Sequence, residues 1–253
     1  MNYIIGEDYT LPSLGKVYEV EVNPDIKLRS MTTNEEMKRL SHSERQYKVM
    51  ADIIDDCLVT KPGISSYDMC LGDYQFLLHK LRVVTYGPEY PVSSRCPLCY
   101  TVTEDKINLD DMEVVKYSPD IEKYLRFELP RSKNHIELRL QTPRMMDNIE
   151  LDIADFKKRA PSFSGDPAIL FTIKNLIKSV DGEKPDPITF EQWIMNLPMM
   201  DTNYIIQNAQ ELNKSIGLST DLTITCDECG LVYKSPFRIT SEFYGPSIRY
   251  GIR

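Results

Sequence analysis

The chain has 253 residues, 42% of them hydrophobic and 27% charged, a balance that supports a packed soluble core organised as one large domain or two modest ones. Its net charge of -8 argues against a general nucleic-acid binder, which needs surplus Lys and Arg to neutralise phosphates. The longest apolar runs, such as Phe76-Leu77-Leu78, fall far short of a membrane span, and the N-terminus lacks the basic and apolar segments of a secretory signal, so cytosolic synthesis is expected.

Residues 1–30 read as a hairpin. Tyr18, Val20 and Val22 alternate with Glu19 and Glu21, Asn23-Pro24-Asp25 marks a turn, and Ile26 and Leu28 alternate with Lys27 and Arg29. Residues 31–95 read as a helical unit. Thr33 with Glu36 and Ser43 with Gln46 form capping-box pairs, the second opening a helix that carries Tyr47, Met50, Ile54 and Cys57 on one side. A third helix follows Gly72-Asp73, with Tyr74, Leu77, Leu78, Leu81 and Val84 at helical spacing and Gly87-Pro88 as its stop.

The chain then reaches Cys96-Pro97-Leu98-Cys99, whose counterpart Cys226-Asp227-Glu228-Cys229 comes much later. Two Cys-x-x-Cys turns supply four thiolates, the donor set of a closed tetrahedral structural zinc site with no position left for a reactive water. In a compartment that keeps thiols reduced, the six cysteines read as these four ligands plus ordinary thiols at Cys57 and Cys70 rather than as disulfides. One ion taking both pairs ties the middle of the chain to its end.

Strands are expected at Met112 to Tyr117, and as a hairpin at Leu125 to Leu129 and Ile136 to Leu140 around the polar loop Pro130 to His135. Residues 142–217 read as a helical insert of several amphipathic helices. Thr142-Pro143 and Asp166-Pro167 open helices, the second running through Ile173 and Leu176 to Val180. Thr189 with Gln192 opens a short helix holding Trp193, and Asp201-Thr202 precedes another that ends near Gly217. Leu222 and Ile224 enter the second knuckle and Leu231 to Tyr233 leave it, which is the local logic of a zinc ribbon. Residues 96–141 and 218–240 together make this β region, and the expected class is α+β, a small zinc-ribbon-like strand region stapled by the two knuckles with two groups of helices. Residues 241–253 form a tail in which Phe243, Tyr244, Arg249 and Tyr250 are candidate partner anchors, residue types favoured at binding hot spots; a local cover over the ribbon is the other reading.

No catalytic constellation emerges. His42, His79 and His135 lack metal-ligand spacing and suit surface or packing roles, the acidic pairs Asp55-Asp56 and Asp110-Asp111 suit solvent, and neither a nucleophile elbow nor a phosphate-cradling loop is present.

The order of Asp73-Tyr74-Gln75-Phe76-Leu77-Leu78-His79-Lys80-Leu81-Arg82, Thr85-Tyr86-Gly87, the two knuckles and an aromatic-Pro-x-x-Arg ending resembles the baseplate proteins of T-even-like contractile-tailed bacteriophages, in particular the hub subunit or hub assembly chaperone. The resemblance runs from about Met31 to the end. It implies a non-enzymatic virion or morphogenesis protein that contacts other baseplate and tail hub proteins in a hetero-oligomeric assembly, in the virion or in the host cytoplasm during assembly. It also implies Cys96, Cys99, Cys226 and Cys229 as the structural zinc ligands. Tyr100 stands where many knuckles have glycine, so the first turn is expected to be less open than the second. A zinc-ribbon nucleic-acid-binding module is the alternative, favoured by the ribbon and disfavoured by the charge.

Overall fold

A computed structural model describes residues 6–219, 221–237 and 243. Strand β1 (Gly6–Thr10) pairs antiparallel with β2 (Asp25–Arg29), whose Ile26 and Leu28 point inward as their alternation predicts. The partner of β2 is therefore not the stretch from Tyr18 to Val22, which forms no strand. Side chains hold that loop instead: the buried Asp73 carboxylate accepts the Ser13 N–H at 2.9 Å, the Ser13 hydroxyl at 2.5 Å and the Tyr18 hydroxyl at 2.6 Å. A buried carboxylate must be so bonded, and meeting that need fixes the loop on the helix that carries Asp73.

Helix α1 (Thr33–Arg39) is capped one residue earlier than expected. Thr32 accepts the Asn34 N–H and Glu35 takes the Thr32 N–H at 2.7 Å, because the run of paired threonines and glutamates offers two registers for one motif. Helix α2 (Gln46–Cys57) lacks the expected Ser43 cap. Its Tyr47 and Lys48 N–H groups donate to the Asp147 carboxylate at 3.1 and 2.9 Å, a cap delivered from a distant part of the chain. Strand β3 (Leu58–Thr60) completes the first sheet in the order β1-β2-β3.

Helix α3 (Leu71–Tyr86) is the central element, with Tyr74, Leu77, Leu81 and Val84 all buried and Gly87 closing it at φ 86°. At its start the chain crosses itself: a Cβ on Gly72 would lie 2.3 Å from the Ile216 carbonyl oxygen, a distance that only glycine permits. The helical unit expected through residue 95 stops here. The chain passes into β4 (Glu89–Arg95), paired along its length with β5 (Val102–Asn108). Serines, a proline and exposed positions in β4 leave little apolar alternation to read.

Strand β6 (Val114–Val115) and short helix α4 (Glu122–Leu125) lead to the expected hairpin of β7 (Arg126–Glu128) and β8 (His135–Leu138). Helix α5 (Pro143–Arg159) is capped by Thr142 as predicted. Helix α6 (Ala168–Leu176) ends sooner than expected and runs straight into β9 (Ile177–Val180), so Val180 lies on a strand that pairs with β8. Helix α7 (Pro187–Met195) is capped by Asp186 rather than Thr189. Helix α8 (Met199–Lys214) begins before Asp201, whose carboxylate instead accepts the Arg131 and Ser132 N–H groups, each at 2.8 Å. Strand β10 (Gly217–Leu218) pairs with β6, and β11 (Asp221–Thr225) with β12 (Val232–Pro236) forms the last hairpin.

Two cores result. The first joins β2, α2 and α3 with Leu109, Phe237 and Phe243; the second joins β8, β9, α6, α7 and α8 with Ile121. Tyr18 packs against both. The architecture is the mixed helix-and-strand class that the sequence implies.

Candidate metal centre

The two knuckles sit at the tips of the β4–β5 and β11–β12 hairpins and have matching backbones. At the first, Cys96 N–H donates to the Thr101 carbonyl at 2.9 Å and Tyr100 N–H to the Cys96 carbonyl at 3.0 Å. At the second, Cys226 N–H donates to Leu231 and Gly230 N–H to Cys226, both at 2.9 Å. Tyr100 has φ 62° and Gly230 φ 70°, so the first turn is as open as the second, contrary to expectation. Tyrosine in the left-handed region costs about 1–2 kcal/mol, and Arg95 offsets part of it: its Nε donates to the Tyr100 carbonyl at 3.1 Å and its guanidinium lies 5.7 Å from the Tyr100 ring centroid.

The tips meet with their sulfurs facing. Cys96 Sγ is 3.7 Å from Cys229 Sγ, Cys99 Sγ is 3.5 Å from Cys226 Sγ, and all four lie within 4.8 Å of one another. A disulfide needs about 2.05 Å. A tetrahedron of zinc–sulfur bonds of about 2.3 Å places its sulfurs about 3.8 Å apart, so the donor set and its spacing fit a tetrahedral metal. Cys96 and Cys226 are buried, whereas Cys99 and Cys229 lie at the surface. The Thr101 hydroxyl and N–H hold the Cys99 thiol down to about 6. The Leu231 N–H pulls Cys229 the same way, but partial desolvation where the tips meet and the three neighbouring sulfurs together push it up to about 12. A dication among four converging sulfurs would favour their thiolate forms. Beyond the sulfurs, the Ser94 and Tyr233 hydroxyls share a 2.5 Å hydrogen bond between the hairpins, and Tyr90 packs edge-on against Phe237 at 5.7 Å.

A model of the T4 bacteriophage base plate protein family matches residues 5–243. The chain belongs to that family. Comparison with curated proteins and with solved structures gave no match.

Of the tail anchors expected in this base plate family member, Phe243 is fully buried. Its ring lies 5.1 Å from Tyr90, 5.8 Å from Phe237 and 6.2 Å from His79, so in this structure it is a core side chain, not an exposed anchor. Tyr244, Arg249 and Tyr250 lie outside the described residues. His79 is buried beneath Phe243, in the packing role expected of it. Among the described residues, no helix is long and apolar enough to cross a membrane. Sequence reasoning missed Asp73, Asp147 and Asp201 as buried organisers, although an acid standing among the apolar positions of a helix is a signal for such a role.

Proposed function

We propose that this chain is a non-enzymatic structural or assembly protein of the baseplate hub, and that Cys96, Cys99, Cys226 and Cys229 hold one structural Zn2+. The observation that carries the reading is the family match over residues 5–243, joined to four sulfurs at tetrahedral spacing that leave no ligand position open for catalysis. The metal supplies closure: on the order of 10 kcal/mol of apparent affinity is set against the entropy of joining segments far apart in sequence. The closed fold then presents its surfaces to other baseplate and tail proteins, in the virion tail or in the host cytoplasm during assembly, as part of a hetero-oligomer. The tail beyond Phe243, with Tyr244, Arg249 and Tyr250, is one of those surfaces.

Mass spectrometry of purified virions and of baseplate assembly intermediates tests the role. The chain is expected in at least one of them, bound to other tail proteins; absence of any such partner at every stage would overturn it. Metal analysis tests the centre separately. One zinc per chain is expected in the wild type and loss of it in Cys96→Ser, and unchanged zinc in the variant would sink the assignment.

A further inference from the structure

An open cleft of about 510 Å³ lies where the two cores meet, between the loop around Tyr18 and the β8 strand. Clefts of this size at the seam between packed units are the usual places for recognition. Its apolar lining includes Val17, Ile121, Leu125, Leu138, Leu140 and Met145. One wall is fixed, because the Tyr18 hydroxyl is bonded to the buried Asp73 and reaches Cys70 Sγ at 3.4 Å. The cleft is thus preformed rather than a gap in loose packing.

Four carboxylates and four cations line it, so its formal charges cancel, but they are unevenly paired. Its four carboxylates all have cations: Glu122 and Glu137 lie 2.9 and 3.0 Å from Arg126, Glu19 lies 3.5 Å from Lys178, and Asp68 lies 2.5 Å from Arg144, which stands outside the cleft. Two lining cations are left over. Among the described residues neither Lys16 nor Arg139 has a carboxylate within ion-pair distance; Lys16 rests over the Tyr117 ring at 5.7 Å, and Arg139 donates to the Ile177 carbonyl at 2.9 Å. Partial desolvation against the cleft wall draws the Arg139 pKa below the usual arginine value, while its side chain stays accessible to solvent and so to an incoming carboxylate. The apolar lining beside these cations offers a small hydrated anion nothing, so it favours a ligand that also carries an apolar group.

We propose that this cleft receives a segment of a partner protein that carries an acidic side chain next to a large apolar one, the carboxylate meeting Arg139 and Lys16 and the apolar group filling the floor between Ile121 and Leu138. The inference rests on the reading of the chain as a protein that works by contacts. A fixed guanidinium gives such a carboxylate a planar, charge-assisted hydrogen-bonding partner, and the apolar contact adds the affinity that an exposed ion pair lacks.

The probe is a library of short synthetic peptides with Asp or Glu beside Phe, Leu or Trp, with a twin library carrying Asn or Gln at the acidic position. Binding to the full chain is followed by titration and by NMR shifts of residues lining the cleft. Members of the acidic library are expected to bind about tenfold more tightly than their amide twins, and Arg139→Gln is expected to erase that difference. Lys16→Gln, a change at an exposed side chain that bonds no backbone, is expected to reduce the difference with the melting temperature unchanged, which separates lost recognition from lost folding. Equal binding of acid and amide peptides, binding unaffected by both variants, no binding of any acidic peptide, or free glutarate binding as tightly as the peptides would each overturn the proposal. Recovery of the chain in virions or assembly intermediates is measured independently, so a failed cleft and a failed baseplate role give different results.

Discussion

Tyr100 adopts the backbone of Gly230 because the spacing of the sulfurs and two hydrogen bonds at each tip dictate the turn, and the side chain follows. A left-handed tyrosine costs about 1–2 kcal/mol, far less than metal closure can supply, so the missing glycine was a weak reason to expect a tighter turn. The cluster of Cys96, Cys99, Cys226 and Cys229 was legible because a knuckle is local, two thiols three residues apart. The sequence reading left His79 between a surface and a packing role, and what buries it, Phe243, comes from far along the chain. Burial holds its pKa at about 4 against an ordinary 6.5, with Lys80 and Arg82 pushing the same way and Asp110 opposing. Between those two values the unfolded chain takes up a proton that the folded chain refuses, so stability rises with pH through that window and is complete above it. Urea unfolding of the wild type is expected to lose about 2 kcal/mol at this site between pH 7 and 5. His79→Leu should show a correspondingly shallower pH dependence, and an identical slope in the two proteins would rule the site out.

At the scale of elements, legibility follows the distance to the partner. Helix α3, the Thr142 cap of α5 and the β7–β8 hairpin are set by neighbouring residues and stand where the sequence places them. Strands β1 and β9 are defined by partners across a loop or a helix, and their own residues do not reveal the choice. The start of α2 is the sharpest case. Ser43 has the right identity and spacing for a cap, yet Asp147 of α5 takes the free N–H groups and also accepts the Tyr67 hydroxyl at 2.9 Å. That carboxylate joins two helices and the turn before α3, so its loss is felt beyond one helix end. Asp147→Ala is expected to cost about 2–3 kcal/mol in chemical denaturation, since buried donors lose a charged acceptor. Hydrogen exchange should accelerate first at Tyr47 and Lys48; unchanged protection there would show that Ser43 can replace the distant cap.

For the whole molecule, the four-cysteine cluster bridges the first core and the last hairpin, whereas the second core is built from helices and strands that do not touch these sulfurs. Chelation is therefore expected to act unevenly. Amide exchange in β4, β5, β11 and β12 should rise by at least about tenfold, while the fluorescence of Trp193, packed on Phe190 at 5.6 Å in the second core, should stay close to that of the untreated protein. Concerted loss of both signals would show the two cores to be one cooperative unit. The placement of Phe237 and Phe243 has a consequence for how the protein is made. These rings complete a core to which β2 contributes Ile26 and Leu28, so segments far apart in sequence must both have been synthesised before its interior closes. Over that interval the apolar face of α3 and the Cys96–Cys99 pair stand without their covering partners. Closure of this core is thereby deferred until the Cys226–Cys229 pair has also emerged and the two hairpins can join.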